Sequence, residues 1–487
     1  MATGAAWLVL FKLTERSIGF VSTLILARLL VPDDFGLVAM ATSILAALDL
    51  LGAFSFDLAL IQNQNAARYH YDTAWTFAVL FGILKAAVLC TLAMPAASFF
   101  GEARLPPLIF ALAVYTFLEG FDNVGTVAFQ KDLELHKEFR FGLLKKLVGF
   151  VVTISVAFWL RSYWALIAGI LSTRLASLVL SYVLHPFRPK FSLAGAGDLF
   201  GFSKWLLLNN LLIFVNNRGT DFVIGKLAGA RALGLYSVSY EIANLPTTEL
   251  VWPISRAVFP GYARMANDPP RLREAFLQVI GLVAIFTVPA GAIIAIAAEP
   301  IVQVLLGSKW SDAVPLIQVL AVFGIIRSLH GPTGSIYLAL GKPRFVAGFQ
   351  CVQLTVAIGL MFVLLPAYGT VGAAYALLAG ASAAMVSNYV FAMRELKLSM
   401  SELTRALWRP IASAAAMIGV VLAVGPLWAG DNAPATNVLR LSVLLATAAL
   451  VYVVVVVLCW CVARRPEGPE SQIVRLGASR LGLRTGT

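Results

Sequence analysis

Long apolar runs, each closed by a few polar residues, recur along the whole 487-residue chain. About 20 apolar residues carry a helix across the hydrocarbon core of a bilayer. Runs near that length are predicted as spans at 5–30, 37–61, 73–99, 106–128, 141–160, 163–184, 200–224, 233–258, 276–297, 313–338, 345–366, 370–392, 407–428 and 438–462. The connections are short, and none could fold as a soluble domain. Lipid offers the backbone no hydrogen-bond partner, so a crossing segment must pair its own N–H and C=O groups, as an unbroken helix does. Barrel strands would alternate apolar and polar residues over about ten positions, and these runs do not. The pattern predicts an all-α integral membrane protein of about 14 transmembrane helices.

Composition agrees with that picture. Hydrophobic residues make up 60% of the chain and charged residues 13%, with a mean hydropathy of +0.84. A soluble domain carries about 25% charged residues to face water. The net charge of +12 would suit nucleic acid, but the placement of the bases follows a membrane instead. With the N-terminus set in the cytoplasm, 24 of the 37 Lys and Arg residues fall in cytoplasmic loops, the span ends beside them and the tail, seven at the opposite side and six deeper within spans. Basic residues concentrate on the cytoplasmic side of membrane proteins. The split supports an even number of helices, both termini inside, and a basic cytoplasmic tail at 464–487. Met1 to Leu10 hold no basic stretch, and Lys12, Glu15 and Arg16 interrupt what would be the apolar core of a signal peptide. The first helix is therefore predicted to be retained.

The chain echoes itself. Arg28-Leu29-Leu30-Val31-Pro32-Asp33-Asp34-Phe35-Gly36-Leu37 resembles Lys226-Leu227-Ala228-Gly229-Ala230-Arg231-Ala232-Leu233-Gly234-Leu235, 198 residues on. Each has a base, then Leu, and Gly-Leu eight residues after the base. Leu112-Ala113-Val114-Tyr115 is matched by Leu320-Ala321-Val322-Phe323. Pro95 leads to Phe99-Phe100-Gly101, and Pro300 to Leu305-Leu306-Gly307. Three echoes in the same order, each six helices apart, predict two pseudo-symmetric six-helix bundles of like orientation. These are an N-lobe at 1–190 and a C-lobe at 191–400, with two extra helices at 401–463. Parallel repeats are a transporter design, with substrate held between rocking halves.

An ionisable side chain at mid-bilayer costs about 2.5–3.5 kcal/mol on insertion scales and persists where it meets protein, water or substrate. Helix 1 carries Lys12, Glu15 and Arg16; helix 2 carries Asp49 and Asp57, eight apart. Helix 7 has a polar stripe of Asn209, Asn210, Asn216, Asn217, Arg218 and Asp221, and helix 8 has Glu241 and Glu249 with Tyr236 and Tyr240. Lys85, Glu119, Arg174 and Arg327 stand singly in helices 3, 4, 6 and 10. The load falls on helices 1, 2, 7 and 8, equivalent pairs under the repeat, as expected of helices that share a cavity. Arg16, Arg218 and Arg327 are the leading candidates to hold an anionic group, because a guanidinium fork suits phosphate oxygens. Lys12, Lys85 and Arg174 join them as candidate cavity residues, and Lys85 shows no obvious local partner. The competing reading is that these charges pair within each half and only hold helices together; it applies most to Asp49 and Glu119. Pro246, Pro253, Pro289 and Pro332 each remove a backbone hydrogen bond and bend a helix, which serves either a hinge or a static kink.

Catalytic chemistry is not legible. His70, His136, His185 and His330 are scattered, and no metalloprotease, nucleophile-elbow or P-loop motif occurs. No catalytic residue, metal site or cofactor is predicted. Cys90, Cys351, Cys459 and Cys461 lack zinc spacing and read as small buried apolar residues.

The run Leu26-Ala27-Arg28-Leu29-Leu30-Val31-Pro32-Asp33-Asp34-Phe35-Gly36-Leu37-Val38-Ala39-Met40 resembles the signature of Wzx-type polysaccharide flippases, of the multidrug/oligosaccharidyl-lipid/polysaccharide exporter superfamily. Ile224-Gly225-Lys226, Leu233-Gly234-Leu235-Tyr236, Ala243-Asn244-Leu245-Pro246, Ala298-Glu299-Pro300, Leu306-Gly307 and Trp310 support it. The similarity runs from about residue 5 to about residue 395 and is greatest to the subgroup typified by the colanic acid exporter. It implies a flippase of the bacterial inner membrane, carrying undecaprenyl-diphosphate-linked oligosaccharide repeat units for exopolysaccharide, capsule or O-antigen synthesis. It also implies two lobes around a cationic cavity, coupling to a proton or sodium gradient, and a polysaccharide polymerase and chain-length regulator as partners. Asp49, Asp57, Asp221 and Glu241 are this chain's candidates for ion coupling. The expected activity is thus alternating-access flipping of a lipid-linked oligosaccharide, with membrane lipids as surroundings, no nucleic acid and no enzymatic reaction. A multidrug antiporter of the same superfamily is the alternative, though it would want an acidic, aromatic cavity. A non-transporting scaffold of an assembly complex is a third reading, disfavoured by the short loops.

Overall fold

The computed structural model describes residues 2–50, 56–63, 65–247, 251–424, 434–464, 468 and 470–471; within these, the side chains of 2–13, 58, 62, 198–213, 216–217, 252, 256 and 434–435 are not described. Lys12, Asn209, Asn210, Asn216, Asn217, Glu249 and the tail beyond residue 471 therefore lie outside the described residues.

Seventeen α-helices and no strand occur among the described residues. Among the described residues nine helices are long and apolar enough to cross a membrane, or ten if Leu105–Gly120 and Val124–Lys131, bent by 71°, form one broken span. The chain is an all-α, multi-pass membrane protein. The count falls below 14 partly because it covers the described residues and leaves out helices dense in charge. Helix α1 (Ala2–Leu29) carries Lys12, Glu15 and Arg16, and α2 (Pro32–Asp49) carries Asp33, Asp34 and Asp49.

The chain divides into two compact units, Met1–Ser237 and Val238–Thr487. In the first, α4 (Arg68–Phe100) packs on α5 (Leu105–Gly120), α7 (Leu135–Leu160) on α8 (Trp164–Leu184), and α1 on α7; the short α3 (Phe56–Gln62) and α6 (Ala128–Lys131) lie between. Helix α9 (Ala196–Ala243), which falls where two spans were expected, is two helical arms joined across a kink at Gly229, at φ 80° and ψ −175°. Lipid tails are as apolar as leucine, so helices here associate through close packing of small residues. A Cβ added at Gly82 of α4 would stand 2.9 Å from Thr116 O and from the Gly120 Cα of α5.

In the second unit α10 (Trp252–Arg264) precedes α11 (Pro269–Ile296) and α12 (Ala298–Ile301), followed by α13 (Val314–Ala339), α14 (Pro343–Tyr368), α15 (Thr370–Leu396), α16 (Met400–Val424) and α17 (Pro434–Val462). Helix α11 is central, packed on α13 and α16. The two last helices, without a role legible in the sequence, join a core of Ala284, Val288, Met417, Val421, Ala448 and Tyr452, and the Tyr452 hydroxyl donates 2.9 Å to Ile285 O.

Large apolar side chains cover the outside: Trp159 is 83% exposed and Val462 81%. That surface suits lipid. It also corrects the reading of the cysteines as buried: Cys90, Cys351 and Cys461 are exposed on their helices, because an apolar thiol is as well accommodated by lipid as by a core.

The echoes correspond locally. Gly101 and Gly307, at φ 70° and 97°, both end their helical stretches. Leu112 and Ala113 of α5 and Leu320 and Ala321 of α13 are all buried.

Candidate functional site

Four helices of the first unit bring five charged side chains into one chain of contacts. Lys85 of α4 is 9% exposed at its side chain; its Nζ lies 2.9 Å from Asp49 Oδ1 of α2 and 2.5 Å from Glu119 Oε2 of α5. Arg174 of α8 places Nη1 3.8 Å from Glu119 Oε1 and Nη2 2.6 Å from Asp122 Oδ2. Nη2 also donates to Glu119 O at 3.1 Å, and the guanidinium lies 5.5 Å from the centre of the Tyr115 ring. Ser177 Oγ donates to Asp122 Oδ2 at 3.1 Å. Three carboxylates and two bases share the network, so full ionisation leaves one net negative charge. The low dielectric around it strengthens each pair and penalises any member left alone.

The local structure explains why these residues meet. Glu119 lies in the last turn of α5, and Asp122 stands two residues past its end in a turn closed by the Asp122 N–H donating to Glu119 O at 3.2 Å. The helix stops there because Asn123, fully buried, gives its side-chain amide to the carbonyls of Ser181, His185 and Phe187. Asp122 is thereby held against α8 beside Ser177.

The expectation that Lys85 lacks a local partner is corrected: two carboxylates hold it. They come from helices 36 and 34 positions away in sequence, where no local spacing reveals them. Arg174 is likewise engaged by carboxylates. A substrate phosphate reaching either base would have to displace a carboxylate of the protein.

Other candidates stand on α1, α3, α9 and α13. On α9, Arg218 Nη1 is 3.1 Å from Asp221 Oδ2, which also accepts from Ser43 Oγ of α2 at 3.3 Å. Asp221 is 9% exposed at its side chain, whereas Arg218 keeps 44%. Arg16 is half-buried on α1, Asp57 is exposed on α3, and Glu241 is half-buried on α9. In the second unit Arg327 of α13 donates from Nη1 to the Tyr240 hydroxyl at 2.5 Å. A cavity of about 600 Å³ in that unit is lined by Arg273, Glu274, Glu395, Lys397 and Glu402 among others, and by none of the candidates.

Sequence reasoning missed Asp122, Tyr115, Ser43 and Ser177. The three-residue spacing of Glu119 and Asp122 was a usable signal for the first. Tyr115 stood in the second echo, and nothing along the chain marks Ser43 or Ser177.

Known proteins then place the chain. The lipopolysaccharide biosynthesis protein WzxC of Escherichia coli is 26% identical over 344 residues, 70% of each chain. The teichuronic acid biosynthesis protein TuaB of Bacillus subtilis is 24% identical over 412 residues, covering 82% of this chain and 84% of its own. The succinoglycan biosynthesis transport protein ExoT of Rhizobium meliloti is 25% identical over 321 residues, 65% of this chain and 64% of its own. Among solved structures, lipid II flippase MurJ in an inward closed conformation superimposes with a TM-score of 0.73 at 11% identity, over 94% of this chain and 99% of that one. An inward-facing multidrug resistance MATE transporter does so with a TM-score of 0.59 at 14% identity, over 80% and 96%. At those identities the likeness shows the fold. Residues 25–315, more than half of the chain, match the family described as polysaccharide biosynthesis protein, and the chain belongs to that family.

Proposed function

We propose that this protein flips a lipid-linked oligosaccharide across the bacterial cytoplasmic membrane, with both termini inside, for synthesis of a surface polysaccharide. Family membership carries the reading, and the fold of a lipid II flippase supports it. The substrate fitting the arginines within the spans is an undecaprenyl diphosphate bearing one repeat unit. Arg218 supports a diphosphate contact: after pairing with Asp221 it still presents 44% of its side chain. Arg16 and Arg327 are its proposed companions. Lys85 and Arg174 act one step removed, because their charges already meet carboxylates.

The uneven network of three acids and two bases favours coupling to a small cation, a proton or sodium ion. Asp49 is its most accessible acid, with Asp57, Asp221 and Glu241 as further candidates. A polymerase and a chain-length regulator would receive the flipped unit.

The test is export in a strain lacking the gene. Arg218→Ala and Arg16→Ala should each lower polysaccharide export by about tenfold or more at wild-type membrane levels. Lipid-linked precursor should build up on the inner leaflet. Export at the wild-type rate in the double variant removes these arginines from the mechanism. Undiminished export in the strain without the gene removes the flippase reading.

A further inference from the structure

We propose that the crossing of α2 with the second arm of α9, at Gly36 and Gly234, seals the non-cytoplasmic face of the transport path and parts once in each cycle. The proposal rests on the flippase reading and names the part that moves.

The two segments are the first echo of the repeat, and they touch each other. A Cβ at Gly36 would overlap the carbonyl oxygen of Ala230 and lie 2.9 Å from Gly234 N. A Cβ at Gly234 would overlap the carbonyl oxygen of Pro32 and lie 2.8 Å from Gly36 N. The shift of 198 residues that carries Gly36 onto Gly234 also carries Pro32 onto Ala230. The two contacts are therefore one contact seen from both sides, the self-complementary pattern of a two-fold axis. The same shift takes Val31, the extended residue before α2, onto Gly229, the break in α9. It takes Asp33 onto Arg231, and those two pair at the rim at 3.7 Å with 37% and 54% of their side chains exposed.

The composition of the crossing suits a seal that must open. Small residues four apart on each segment, Pro32 with Gly36 and Ala230 with Gly234, let backbone meet backbone. The flanking Leu37, Leu233 and Leu235 are buried to 3% or less, so the contact is dry. Close backbone approach excludes water, yet no long side chain must be withdrawn when the segments separate. The Asp33–Arg231 ion pair is exposed, of a class worth about 0–1 kcal/mol, and so a weak tie. Each segment follows a non-helical residue that can absorb a change of angle. Other tight glycine crossings, such as Gly82 on Gly120, join neighbouring helices of one repeat and have no need to part. The flanking bases Arg28, Lys226 and Arg231 belong to the seven that the charge distribution assigns to the non-cytoplasmic side.

A reducible cross-link tests this in the full-length protein, with Cys90, Cys351, Cys459 and Cys461 replaced by Ser. In Asp33→Cys/Arg231→Cys, a short bis-methanethiosulfonate should lower export by about tenfold or more, and reductant should restore it. Each single-cysteine variant should export normally after the same treatment. Export at the uncrosslinked rate with the link formed overturns the proposal. A second measurement needs no substrate. A reporter Leu235→Cys should react severalfold faster with a membrane-impermeant maleimide added outside when Gly36→Val holds the crossing apart. Gly36→Ala serves if the valine variant fails to accumulate. Unchanged labelling in an accumulated variant overturns the proposal. Faster labelling in a protein that restores no export even uncrosslinked would leave the seal standing and defeat the flippase reading.

Discussion

Lys85 is a charge within a span, 9% exposed and held between two carboxylates. Removing it would take from Asp49 its pairing base and leave Glu119 with the longer contact to Arg174. Lys85→Met should destabilise the protein by about 2 kcal/mol; this lies below the 3–5 expected for a fully buried pair, because half of Asp49 is exposed. Thermal unfolding in detergent reads this, and Lys85→Arg should recover most of the loss. A wild-type melting temperature in Lys85→Met would mean the network adds nothing to stability. His185 offers a pH-dependent counterpart outside the spans. It follows α8, accepts a hydrogen bond from Phe187 N at 3.2 Å, and burial, reinforced by the charge of Lys137, lowers its pKa below 6.5. The folded state therefore favours neutral imidazole. Its contribution is complete above the unfolded pKa and is lost as pH falls below about 6.5 towards the lower folded value. Melting between about pH 8 and pH 5 should show that decline. His185→Gln, which cannot titrate, should flatten it; an unaltered slope would assign the pH dependence to other groups.

Helix packing here depends on glycine where side chains would keep backbones apart. Gly120 of α5 would set a Cβ 2.7 Å from Ala78 O of α4, so Gly120→Val must push α4 and α5 apart. A loss of about 1–3 kcal/mol is expected, together with disturbance of the nearby Glu119 and Arg174 contacts. Membrane yield and melting temperature would report it. At the other end of the chain, Arg409 of α16 and Glu470 beyond α17 form a pair 3.2 Å apart, each with 7% of its side chain exposed. Glu470→Ala would strand a buried guanidinium at a cost of about 3 kcal/mol, whereas the double change Arg409→Met/Glu470→Ala should cost less than the single one. Equal losses in both would show that the pair is uncoupled. The PDDFG run, which carried the family resemblance, also gains a physical account. Pro32 starts α2, Asp34 accepts from Val31 N at 3.1 Å and from Tyr163 N at 3.2 Å, and Gly36 admits the crossing helix.

For the whole molecule, the asymmetry of its bases predicts that both termini lie inside, since Lys and Arg near span ends are held on the cytoplasmic side. A fluorescent protein fused at either terminus should fold and fluoresce, whereas a periplasmic phosphatase fused there should stay inactive. An active phosphatase at one end only would require an odd number of crossings.

Membrane class, helical architecture and family were all legible along the chain, because hydrocarbon imposes a strong local rule. A segment of about 20 apolar residues is helical there whatever its neighbours do. The position of each charge was legible too, but its partner was not. Asp49, Lys85, Glu119, Asp122 and Arg174 lie on four helices, and a period of 3.6 residues orients side chains only within one helix. The sequence likewise marked Gly36 and Gly234 as equivalent, while their mutual contact follows from how two distant segments cross. Pairing across helices depends on rotation and depth, which packing alone sets. The tertiary structure therefore decided which charges neutralise one another and which arginines keep an open face.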